Sequence, residues 1–86
     1  MITISKLKDY VDHGHDSYQL AKWLINVNIA KYVPLNLSDL SDTATVANEI
    51  EAVAECINEG DYQDALNIAE ESAVQILDEE GFDLSK

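Results

Sequence analysis

The sequence predicts an all-α fold, a small bundle of about four helices whose last two form an antiparallel helical hairpin. Three observations lead there. Apolar residues recur at three- and four-residue intervals along most of the chain. The three glycines, Gly14, Gly60 and Gly81, each stand just past such a stretch, where a helix takes its closing residue. The connections left over are short, as they are in bundles. With 86 residues, one domain spanning residues 1–86 is the expectation.

The first helix is read over residues 5–13, with Ser5 at its N-cap, Leu7 and Val11 one turn apart, and Gly14 just beyond. Met1–Ser5 also alternates in hydropathy, enough for a stub of strand. Asp16-Ser17 opens a second helix, in which Leu20, Trp23, Leu24 and Val27 share a face. Its far end reads two ways, because Ile25, Val27 and Ile29 alternate with Asn26 and Asn28 in the period of a strand. Pro34 biases Val33 away from helical backbone and stops the helix there. Trp23 and Tyr18 are expected to anchor the core, while Tyr10, Tyr32 and Trp23 suit an interface hot spot.

Residues 34–42 form a loop, and Ser41 or Asp42 is placed to cap the third helix. There Val46, Ile50, Val53 and Ile57 form an apolar stripe about 60° wide. Gly60 breaks it and Asp61 is expected to cap the fourth helix. On that helix Tyr62, Ala65, Leu66, Ala69, Ala73, Ile76 and Leu77 fall on one face. Gly81 closes it, leaving Phe82 and Leu84 to fold back on the core.

Charge narrows the function. Seventeen acidic side chains stand against five basic ones, a net charge of −12. The two halves differ sharply. Residues 1–38 hold four lysines and three aspartates, whereas residues 39–86 hold fourteen carboxylates and Lys86 alone. Such a chain repels phosphate backbones and anionic lipid surfaces, so direct binding to nucleic acid or membrane is not expected. No apolar run is long enough to span a bilayer and no signal-peptide pattern opens the chain, so a cytoplasmic protein is expected.

The carboxylates fall in lines. Glu51, Glu55 and Glu59 follow one another every four residues, about 6 Å apart along the axis, opposite the apolar stripe. Asp64, Glu71 and Asp78 repeat every seven residues on the fourth helix, widened by Glu70, Glu79 and Glu80. Like charges at these spacings oppose helix formation slightly, and no Lys or Arg lies between Lys31 and Lys86 to offset them. One reading is a solvated face that keeps a small protein soluble. The other is a surface offered to a basic groove on another protein, with carboxylates standing in for phosphates. Small acidic inhibitors made by phages and mobile elements are similar in size and charge.

Residues 59–77, with Gly60-Asp61-Tyr62 at a turn and Ala65-Leu66 following, resemble the turn and second helix of a tetratricopeptide repeat. That resemblance implies a helical hairpin meeting through small residues. Val53 and Ser72 depart from the pattern, which favours glycine and alanine there. The basic side chains with which such repeats meet acidic peptide tails are also missing.

Few residues suggest chemistry. Asp12-His13-Gly14-His15-Asp16 brings together groups able to ligate zinc, but the same residues make sense without metal, as a turn with His13 near one helix C-terminus and Asp16 at the next N-cap. Cys56 borders the apolar stripe among acidic neighbours that disfavour its thiolate. No phosphate-binding glycine loop occurs. No catalytic residue, metal site or cofactor is therefore expected.

The expected function is that of a non-catalytic acidic inhibitor, phage- or mobile-element-borne, acting by nucleic-acid mimicry. Glu51, Glu55, Glu59, Asp64, Glu71 and Asp78 would occupy the basic nucleic-acid-binding surface of a host defence or DNA-processing protein. The alternative is a helical adaptor or structural subunit. It would pair with a partner, or with itself as a homodimer, through apolar faces near Trp23, Tyr32 and the leucines of the 34–42 loop.

Overall fold

The computed structural model describes residues 2–39 and 43–82. Four helices carry it: α1 (Ile4–Asp12), α2 (Ser17–Tyr32), α3 (Thr43–Asn58) and α4 (Tyr62–Glu79), with a single 3-10 turn at Leu37–Asp39 before α3. The protein is an all-α bundle, and no strand occurs among the described residues.

The start of α1 differs from the expectation. Thr3, not Ser5, is the N-cap: its backbone is extended and its hydroxyl accepts the Lys6 N–H at 3.2 Å. Threonine caps nearly as well as serine, and Thr3 stands one full turn before Leu7, the residue α1 buries completely. The helix therefore winds from Ile4, and the alternation in residues 1–5 builds no described strand. At its other end the His15 N–H reaches the Tyr10 carbonyl at 3.2 Å and the Gly14 N–H reaches Val11 at 3.0 Å. This paired closure satisfies carbonyls that the helix end would leave open. Asp16 caps α2 as expected, accepting the Gln19 N–H at 3.1 Å.

The ambiguous stretch of α2 is helical to Tyr32, and Val33 turns to extended backbone before Pro34. Its buried residues Leu20, Ala21, Leu24, Ile25, Asn28 and Ile29 spread over an arc of about 180°. α2 needs so wide a face because it packs against both α3 and α4. Ile25 and Ile29 belong to one edge of that arc, and Val27 lies half-buried beyond the other. A broad buried arc thus imitates a strand's alternation.

Beyond Pro34 the chain is tied back to α2, where the Asn26 side-chain oxygen accepts the Leu37 N–H at 2.8 Å. Leu37 is buried and Leu35 packs partly against the core, so the loop's described leucines are not free apolar surface. Leu40 and the proposed caps Ser41 and Asp42 lie outside the described residues, as does Leu84.

The α3–α4 hairpin turns at Gly60, whose φ of +81° lies where side chains are disfavoured. The Asp61 N–H bonds the Cys56 carbonyl at 2.9 Å, the same closure that ends α1. Asp61 occupies the N-cap position of α4, but its side chain makes no capping hydrogen bond. Ile50, Val53, Ala54 and Ile57 of α3 are buried, as are Ala65, Ala69, Ser72, Ala73, Ile76 and Leu77 of α4. Tyr62 and Leu66 are only half-buried.

All four helices contribute to one buried apolar cluster. α2, α3 and α4 each pack against the other two, and α1 lies against α4. Phe82 packs partly on this core. Tyr18 does not anchor it: with 38% of its surface exposed, it faces outward. Trp23, half-buried, instead meets Tyr10 edge to face at 5.2 Å. No described helix is long and apolar enough to cross a membrane.

Candidate functional site

The six carboxylates singled out in the sequence are all exposed: Glu51, Glu55 and Glu59 along α3 or at its end, and Asp64, Glu71 and Asp78 along α4. None of the six makes a hydrogen bond or ion pair among the described residues. Each line runs along the side of its helix opposite the buried face. Because α3 and α4 share a core with α2, the two lines look outward in different directions.

They converge at the hairpin bend. The thiol of Cys56, half-buried on α3, is raised above its ordinary pKa, first by its burial and then by Asp64, Asp61, Glu59 and Glu55. That order puts carboxylates from both helices and from the turn between them within reach of a single sulfur. Glu51, Glu71 and Asp78 exert no such influence on it and extend the acidic surface away from the bend.

Asp61 is the member that the sequence reading assigned elsewhere. As an N-cap its carboxylate would have been spent on α4's backbone. Uncapped and exposed, it joins the cluster instead. A helix-closing Gly60 immediately before it was the available signal. The closure already uses the Asp61 N–H, so the backbone there is set by the turn that ends α3.

The four described lysines lie elsewhere, Lys6 and Lys8 on α1 and Lys22 and Lys31 on α2. The negative field over α3 and α4 is thus opposed by no cation of their own among the described residues.

The two histidines part company. His13 Nδ1 lies 2.7 Å from the Asp9 carbonyl and 3.5 Å from the Asp9 carboxylate. Its pKa is raised chiefly by that backbone contact, with the charges of Asp9 and Asp12 adding to it. The His15 ring stands edge-on to Tyr10, 5.3 Å between centroids. Among the described residues, no three His, Cys, Asp or Glu side chains are grouped to hold a metal ion.

No family model, no curated protein and no solved structure matches the chain.

Proposed function

We infer that the protein works by protein–protein contact, without chemistry of its own, through the acidic surface centred on the α3–α4 bend. The observation that carries this reading is the exposure of Glu55, Glu59, Asp61 and Asp64 at the α3–α4 bend, with no ion pair among the described residues, where together they add to burial in raising the pKa of the Cys56 thiol. Glu51, Glu71 and Asp78 lengthen that surface along the two helices. Its complement is a basic groove of the kind that binds nucleic acid, where carboxylates take the places of phosphates. Inhibition of a host defence or DNA-processing protein by a phage or mobile element is the setting that suits such a molecule. Electrostatic steering makes this association fast and strongly dependent on salt.

The test is affinity capture from lysate, with elution first by salt and then by added duplex DNA. A nucleic-acid-binding partner is expected to leave at moderate salt and to be displaced by DNA. The triple variant Glu55→Lys, Glu59→Lys, Asp64→Lys, all at exposed positions, is expected to retain nothing of that partner. Undiminished binding by the variant, or a partner indifferent to both salt and DNA, sinks the reading.

A further inference from the structure

A second surface is built quite differently. Between α2 and α4 lies a cleft of about 250 Å³, lined by apolar and polar side chains of both helices together with Ile2. Leu24, Val27, Asn28 and Lys31 form the α2 wall, and Gln63, Leu66, Asn67 and Glu70 form the α4 wall. Both sets run i, i+3, i+4, i+7, so each is a single helix face turned to the cleft. Each wall offers apolar carbon, at least one carboxamide and one charge.

The polar groups are not used up by the fold. Asn28 is 8% exposed and gives its side-chain N–H to the Leu24 carbonyl at 2.8 Å, while its Oδ1 accepts from no described residue. Gln63 donates to the Asn67 side-chain oxygen at 3.2 Å, which leaves an acceptor on Gln63 and a donor on Asn67. Lys31 and Glu70 carry opposite charges at one cleft, yet they form no ion pair with each other.

We propose that this cleft binds a free α-amino acid with an apolar side chain. The ligand's carboxylate meets Lys31, its ammonium meets Glu70, and its side chain lies on the half-buried Val27 and Leu66. Complementarity of charge selects this class over its neighbours. A simple anion meets Glu70 and the field of a strongly acidic protein, and a simple cation meets Lys31. A neutral apolar molecule strips water from three carboxamides and returns no hydrogen bond. The volume suits such a ligand, falling just under the roughly 300–1,000 Å³ of sites for drug-sized molecules. The site uses none of the six carboxylates of the acidic surface, so the two proposals stand or fall separately.

The experiment is a titration of the isotope-labelled full chain with L-leucine, followed by amide NMR shifts. Parallel titrations use 4-methylpentanoate, which lacks the ammonium, and isoamylamine, which lacks the carboxylate. A ligand this small binds in the millimolar range, so leucine is carried to about 20 mM. Shifts confined to residues 24–31 and 63–70, with both half-ligands weaker by about threefold or more, are expected. Lys31→Gln should weaken leucine and leave isoamylamine unaffected, and Glu70→Gln should weaken leucine and leave 4-methylpentanoate unaffected. Both positions are exposed, so the variants fold. The proposal is overturned by an absence of localised shifts, by half-ligands binding as well as leucine, or by variants that bind leucine unchanged.

Discussion

At the scale of single residues, the contact between Ser72 and Glu49 ties α3 to α4. The Ser72 hydroxyl, buried to 2% exposure, donates to the half-buried Glu49 carboxylate at 2.5 Å. A charged acceptor makes such a bond stronger than a neutral one, and partial exposure of Glu49 tempers it. Ser72→Ala is expected to cost about 1–2 kcal/mol in urea denaturation. Most of that cost should vanish when Glu49→Ala is already in place, because the two effects are coupled. Equal losses in both backgrounds would show that the contact contributes nothing. Both partners were visible in the sequence as polar residues within apolar rows. Glu49 stands three after Val46 and four before Val53, and Ser72 three after Ala69 and four before Ile76. What the sequence did not show is that the two rows meet, since that depends on how the helices are aligned about Gly60.

Gly60 sets that alignment, and at the scale of elements its backbone is the vulnerable point. A Cβ added there would meet no atom within 4 Å, so any cost of Gly60→Ala comes from the positive φ alone. That strain amounts to about 1 kcal/mol. For a domain of this size it lowers Tm by about 4–8 °C in a thermal melt. Gly60→Asn, which tolerates left-handed backbone better, should recover part of the loss, and an unchanged Tm for both variants would contradict the assignment. The helices themselves were legible because caps, glycines and apolar spacing are local signals. Tyr18 faces outward, against the expectation, for a non-local reason. It stands near the start of α2, and which flank of that helix is covered is decided by α3 and α4, far along the chain. The acidic lines were legible as separate rows. Their convergence at the bend was not, because it needed Asp61 to be released from capping.

At the scale of the whole molecule, charge is divided as unevenly as in the chain, and Cys56 serves as a gauge of it. The alkylation rate of Cys56 with iodoacetamide, followed against pH, should give an apparent pKa above the ordinary thiol range. Salt or Asp64→Asn should bring it down by screening or removing part of the field, while the portion due to burial persists. A value indifferent to both would place the carboxylates out of reach of the sulfur. The sign carries over to stability. The folded thiol resists ionisation, so its contribution is fully present below the ordinary thiol pKa and is lost as pH rises through the raised one. The Gly60 hairpin has a further consequence, for the order of assembly. Contacts between α3 and α4 are close in sequence and form with little loop entropy, whereas α2 must reach α4 from some thirty residues away. The part of the chain that comes together first is also the part most charged against itself. Its collapse in dilute buffer is slowed by its own repulsion, and counterions that screen this charge hasten its folding.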